Sequence, residues 1–189
     1  MGTGKLPNST LDFIMAELDP DLRGDFAEIG VYRADLFKRL CKIVSMMRVG
    51  TRIHAFDSFE GLAAPNPIDG TKYPKGCLSV GGVEAFRKIM TAEGISQWSY
   101  ATHAGFIPDC FVGFNRALQF CYIDVDHYEP TKQAIAFAWP LIVPGGILGF
   151  DDYFEGREEL ASPAIDEFLR VHQPPIIHEG NNQIFVRKE

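Results

Sequence analysis

The sequence is poor in the features that would place it in several common classes. It has no apolar run approaching the ~20 residues that span a bilayer, and no CxxC or zinc-type spacing among Cys41, Cys77, Cys110 and Cys121. It also lacks a GxGxxG phosphate fingerprint, because EIGVYRADL carries one glycine and Ala34 stands where a second is expected. These absences exclude a membrane helix and a cysteine-held zinc site, and they disfavour a diphosphate cofactor such as NAD. Basic residues are few as well: 18 Lys and Arg stand against 25 Asp and Glu, a net charge of −7, and they are scattered. Nucleic-acid binding needs cations gathered on one face, so no nucleic-acid partner is expected. The opening MGTGKLPNSTLDFIMAELDP lacks a signal peptide's apolar core, and the cysteines read as buried thiols in a reducing compartment. A cytoplasmic protein with no membrane partner is therefore expected, with a homo-oligomer left open.

What is present points to one compact α/β domain. The 189 residues are 46% hydrophobic, and strand-like apolar runs alternate with amphipathic helical ones, as in a parallel sheet covered by helices. Strands are expected at 25–30, 52–57, 98–103, 119–124 and 146–151, and helices at 36–47, 83–93 and 163–171. A further helix is bracketed by Pro130 in its first turn and Pro140 at its end. PPIIHEGNNQIFVRK reads as an antiparallel hairpin about Gly-Asn-Asn, bringing the sheet to seven strands. An opening helix at 9–18, with Ser9 and Asp12 spaced as a capping-box variant, makes residues 1–24 a helical extension ahead of a domain at 25–189. Residues 58–79 have no periodicity, and so long a loop is expected to fold over a site.

Ligands of an open α/β sheet sit beyond the carboxyl ends of its strands, and here those ends are acidic. They carry Glu28 and Gly30, then Asp57, then Asp124 and Asp126, then Asp151 and Asp152. A glycine after the first strand and an acid ending the second suit a nucleoside ligand, although Gly30 also reads as an ordinary tight turn. Two carboxylates ~4 Å apart repel by about 4 kcal/mol at an effective dielectric of about 20, so the acids of YIDVDHYEP and GFDDYF either fan out into water or share a cation. Oxygen-only donors would favour magnesium over calcium, and the lack of nearby histidine or cysteine pairs argues against zinc. Asp151 and Asp152 can serve one ion only if their strand ends there. The role of His127 is open, and Phe56, Phe59, Tyr128 and Tyr153 read either as core or as walls of the site.

The runs FAEIGVYRADL, IHAFDSFEGL, YIDVDHYEPT and PGGILGFDDYF, in this order from Phe26 to Phe154, resemble the macrocin O-methyltransferase family. Its members are Rossmann-like class I methyltransferases that use S-adenosylmethionine and magnesium to methylate sugar hydroxyls of natural products. The resemblance implies that Glu28, Gly30, Val31, Tyr32, Asp57, Ser58, Gly105 and Asp124 bind S-adenosylmethionine. It further implies that Asp124, Asp151 and Asp152 hold magnesium, that Asp126 is the general base, and that a hydroxylated small molecule is the acceptor. The sequence departs from the family at Ala34, His127, Pro130 and the shortened amino-terminal region. A silent S-adenosylmethionine-binding module and, more remotely, an NAD-dependent oxidoreductase are the rival readings.

Overall fold

A computed structural model describes residues 8–47 and 50–189. Its seven strands are β1 (Asp25–Ile29), β2 (Ile53–Asp57), β3 (Tyr100–Ala104), β4 (Leu118–Ile123), β5 (Ile142–Phe150), β6 (Ile176–Gly180) and β7 (Gln183–Arg187). They form one sheet in the order β3-β2-β1-β4-β5-β7-β6, parallel throughout β1 to β5, with β7 antiparallel to both β5 and β6. The expected mixed sheet with its terminal hairpin is the one observed, and Asn181 and Asn182 turn the hairpin at φ of 56° and 63°.

Helices cover both faces, which is why β1 and β4 are buried along their whole length. On one face α1 (Asn8–Glu17), α2 (Asp35–Met47) and α3 (Val83–Ala92) pack Leu11, Ile14, Phe37, Leu40, Phe86 and Met90 against Phe26, Phe120 and Phe185. On the other, α4 (Tyr128–Leu141) and α5 (Ser162–His172) pack Ala134, Ile135, Ala138, Ile165 and Phe168 against Ile29, Ile123, Leu148 and Phe150. Both layers hold the strands so that their carboxyl ends share one edge.

Several boundaries differ from expectation for local reasons. Pro140 lies inside α4 rather than ending it. The helix closes instead with Lys188, whose Nζ donates to the carbonyls of Trp139 (2.8 Å) and Pro140 (3.3 Å) that have no further helical turn to pair with. β5 begins four residues early because Leu118 pairs with Ile142 and the register then shifts, resuming at Phe120 with Ile147. The capping-box reading at Ser9 falls on a side chain outside the described ones. Cys41, Cys110 and Cys121 are buried, and burial pushes the Cys41 and Cys110 thiols up to about 12. Cys77 is half-buried.

Candidate active site

The carboxyl ends of the strands open into a cavity of about 830 Å³, and every site residue read from the sequence lines it. Glu28 and the turn Gly30, Val31, Tyr32 come from β1, Asp57 and Ser58 from β2, and Gly105 from just past β3. Asp124 and Asp126 follow β4, and Asp151 and Asp152 follow β5. The ladder continues into these turns: Gly30 N donates to Phe56 O (2.8 Å), Asp124 N to Ile29 O (2.8 Å) and Asp151 N to Ile123 O (3.0 Å). Gly30 is both a tight turn, at φ 85°, and a close approach, since a Cβ there would lie 1.8 Å from the Asp124 carbonyl oxygen. No other residue fits between the ends of β1 and β4. Ala34 sits at φ 62°, which is why a glycine was expected at that position. Tyr32, Asp126 and Asp152 are also left-handed, at 45°, 59° and 54°. Such backbone costs about 1 to 3 kcal/mol per residue and persists where its surroundings over-determine it.

Asp57 is more committed than the sequence suggested. Its Oδ2 accepts the amides of Val31 (2.7 Å) and Tyr32 (3.0 Å), and its Oδ1 that of Phe59 (2.6 Å). With two acceptor positions per oxygen, Oδ1 keeps one for a ribose hydroxyl and Oδ2 keeps none. The acid expected to suit a nucleoside ligand therefore has one acceptor position open rather than four. Ser58 Oγ donates to Gly61 O (2.8 Å) and accepts from Glu60 N (3.1 Å), so it closes the turn beside Asp57.

The acids repel one another across the cavity. Burial pushes the Asp124 carboxyl well up, and the charges of Asp151, Asp126 and Asp152 push it further. Asp126 is raised to about 7 by burial and then by Asp152. Asp151 is raised to about 6 by burial, against the pull of Gln183 Nε2, which donates to its Oδ1 at 3.0 Å. Glu28, 3% exposed, is pushed well up by burial and by Asp57 and Asp151, and its Oε2 has no hydrogen-bond partner. Partial protonation is thus one way the charge is relieved. Lys72 supplies another, since its ammonium sits 4.5 Å over the Tyr73 ring and its field reaches Asp126 and Asp152. Among the described residues, no three His, Cys, Asp or Glu side chains are arranged to hold a metal ion. Asp124, Asp151 and Asp152 share the cavity without forming a ligand cluster.

The long segment at 58–79 lies over this site, with Gly61, Leu62, Ala63, Tyr73 and Leu78 lining the cavity. It is fastened to the start of α4. Asp69, 1% exposed and carried on a 3-10 turn (Pro67–Asp69), accepts the amide of Asn66 on Oδ2 (2.8 Å) and that of Tyr128 on Oδ1 (2.7 Å). His127 is buried, with Nε2 3.2 Å from the carbonyl oxygen of Tyr73. Its open role becomes that of a strap anchor. Phe56 and Phe59 are fully buried core, while the hydroxyls of Tyr128 and Tyr153 donate to Glu167 (2.7 Å) and Asp166 (3.0 Å). Sequence reading missed Asp69, which carries no motif, and Tyr122, whose signal was its place two residues before Asp124 on the same face of β4.

Comparison with known proteins adds the family. The solved structure of CalS11, a calicheamicin methyltransferase, is similar at TM-score 0.76 and 19% identity, covering 96% of this chain and 80% of that one. The O-methyltransferase NovP is similar at 0.75 and 18%, covering 94% and 75%. A precorrin-6y C5,15-methyltransferase from Geobacter metallireducens is similar at 0.60 and 12%, covering 100% and 93%. At such identities these likenesses show the Rossmann-like fold. No curated protein matches the sequence. A family model described as a methyltransferase domain matches residues 27–153, two thirds of the chain and all the strand ends that build the cavity, so this chain belongs to the methyltransferase domain family.

Proposed function

We propose that this protein transfers a methyl group from S-adenosylmethionine to a hydroxyl of a small molecule, a sugar or glycosylated natural product, as the macrocin O-methyltransferase family does. The observation that carries the reading is the convergence of four separate sequence runs on one cavity, whose lining includes both the raised carboxyl of Asp126 and the unpartnered Oε2 of Glu28. The residues suit the cofactor. Gly30 lets backbone approach it, Asp57 Oδ1 keeps an acceptor for ribose, and the orphaned Glu28 Oε2 faces its amino-acid end. S-adenosylmethionine supplies a sulfonium-activated methyl group, so the protein has mainly to align the acceptor and remove its proton. Asp126 takes that proton, and a carboxyl raised to about 7 is matched to neutral pH. The acceptor oxygen then forms its bond to the methyl carbon as the carbon–sulfur bond breaks, leaving S-adenosylhomocysteine. The strap, held by Asp69 and His127, keeps Tyr73 in the wall of the cavity.

Magnesium is a further part of the proposal, and its support is donor chemistry. Asp124, Asp151 and Asp152 are oxygen donors of a kind that hard divalent ions prefer, and their mutual repulsion is what a cation would relieve. When bound, magnesium would supply Lewis-acid stabilisation of negative charge on the acceptor oxygen. The likeness to CalS11 and NovP supports a natural-product acceptor.

Calorimetry with S-adenosylhomocysteine, paired with methyl-transfer assays on a broad panel of sugars and glycosides with magnesium or with EDTA, tests the reading. The expected result is cofactor binding, magnesium-dependent turnover, and a loss of about 100-fold or more in Asp126→Asn with cofactor affinity within about two-fold. A chain that binds no S-adenosylhomocysteine refutes the proposal. Binding without turnover across the panel would leave the silent module.

A further inference from the structure

The floor of the cavity carries two buried oxygens for which the fold provides no partner. Glu28 on β1 and Tyr122 on β4 are register partners in the parallel ladder, so their side chains leave the same face of the sheet at the same level. Both line the cavity, and they are 3% and 2% exposed. Glu28 Oε2 and the Tyr122 hydroxyl are each without a hydrogen bond. An unsatisfied buried polar atom costs about 1 to 3 kcal/mol, so two adjacent ones facing a cavity mark a place that a ligand completes. Asp151 approaches the Tyr122 hydroxyl closely enough to perturb it by charge and by a loose polar contact, but no hydrogen bond of ordinary distance and angle joins the two.

The direction of the hydroxyl is fixed by packing. The Tyr122 ring stacks on Phe185 at 5.7 Å and 28°, and Gly149 on the neighbouring strand leaves the space, since a Cβ there would come within 2.8 Å of the Tyr122 ring and 2.4 Å of Phe185. A phenol so wedged delivers its oxygen along one line. The charges around it are those of Asp151, Asp124 and Glu28, so the group that fits is a cation with several N–H donors. Arg39 on α2 lines the same end of the cavity, and its charge acts on both Glu28 and Tyr122. A guanidinium beside an acid and a phenol suits the two ends of an α-amino-acid zwitterion.

Resting on the methyl-transfer reading, we propose that Tyr122 is a cofactor-binding residue whose hydroxyl joins Glu28 in holding the α-ammonium of the cofactor's methionine moiety. Specificity for a cofactor carrying its amino acid, over the nucleoside alone, is then built into the sheet floor. Tyr122→Phe tests this with little disturbance to the fold, because the oxygen it removes makes no hydrogen bond of ordinary geometry. Calorimetric titration of wild type, Tyr122→Phe and Glu28→Gln with S-adenosylhomocysteine and with 5′-methylthioadenosine, which lacks the amino-acid end, gives four possible outcomes. Support is a loss of about ten-fold or more for S-adenosylhomocysteine in Tyr122→Phe and in Glu28→Gln, with 5′-methylthioadenosine within about two-fold of wild type. An equal loss for both ligands, or no loss for either, overturns the clamp and assigns the hydroxyl to Asp151. An effect confined to Glu28→Gln removes Tyr122 from it. Failure of wild type to bind either nucleoside would instead bring down the methyl-transfer reading itself.

Discussion

Two buried acids on β1, Asp25 and Glu28, are treated in opposite ways by the same sheet. Their odd spacing sends them to opposite faces. Asp25 Oδ1 accepts the amide of Arg52 (3.0 Å), while its Oδ2 lies 3.1 Å from His54 Nε2 and also pairs with the Arg116 guanidinium. His54 Nδ1 continues the chain to His103 Nε2 at 3.0 Å. Burial alone would raise the Asp25 carboxyl, but these partners pull it down to about 2. Glu28 is buried to the same degree and is pushed the other way, first by burial and then by the charges of Asp57 and Asp151, with no strong partner to offset them. Burial raises both carboxyls, and only the one given hydrogen-bonding and cationic partners is brought back down. The satisfied acid ties β1, β2 and β3 together, and the unsatisfied one is left with an unpartnered oxygen on the cavity wall.

That contrast can be broken most sharply by making the same isosteric change at both positions. Asp25→Asn should destabilise the protein by about 3 to 5 kcal/mol in urea unfolding, since it strands Arg116 and His54 without their acid. Glu28→Gln should change stability by less than about 1 kcal/mol, because that carboxyl is already held towards its neutral form. Equal losses would erase the distinction.

The pH dependence of stability sharpens it further, measured as thermal unfolding in the presence of EDTA. The folded value of Asp25, about 2, lies below its ordinary 3.8, so its contribution is full above about pH 4 and fades as pH falls through 2. Asp126, at about 7, lies above its ordinary 3.8, so its contribution is full below about pH 4 and is lost as pH rises through 7. Asp126→Asn should therefore match wild type near pH 4 and exceed it at pH 8 by on the order of 4 kcal/mol. A variant no more stable than wild type at pH 8 would show that Asp126 has a counter-charge there.

The smallest effect is expected at the strap. Asp69→Ala removes the acceptor for the Tyr128 amide and should cost about 1 kcal/mol of stability. Trypsin should then cut after Lys72 and Lys75 several-fold faster than in wild type, and the acceptor KM should rise more than kcat falls. Unchanged proteolysis would mean that His127 alone anchors the segment.

The legibility of the molecule followed the range of the forces involved. The strand-end acids were readable because strand periodicity and the open-sheet rule need only neighbouring residues, as in YIDVD and GFDD. Tyr122 was half-readable: it shares a face with Asp124, but inside an apolar run an aromatic reads as core. Asp69 gave no signal, since a carboxylate in a polar loop is buried only once the loop has docked on α4. The relay from Asp25 through His54 to His103 joins residues 29 and 49 positions apart, and no local pattern announces it. Pro140 was read as the stop and the helix runs one residue further, to Leu141, with Lys188 from the far end of the chain donating to its last carbonyls, a contact no local pattern announces.

By itself the sequence determined the alternation of strands and helices, the acidic edge of the sheet and the glycine at its centre, all of which follow from periodicity and backbone sterics. Tertiary structure alone decided which of the buried acids find partners. Hydrogen bonding and Coulomb interactions act over a few ångströms between residues distant in the chain, so whether a carboxylate becomes an anchor or a waiting site is settled only when the strands lie side by side.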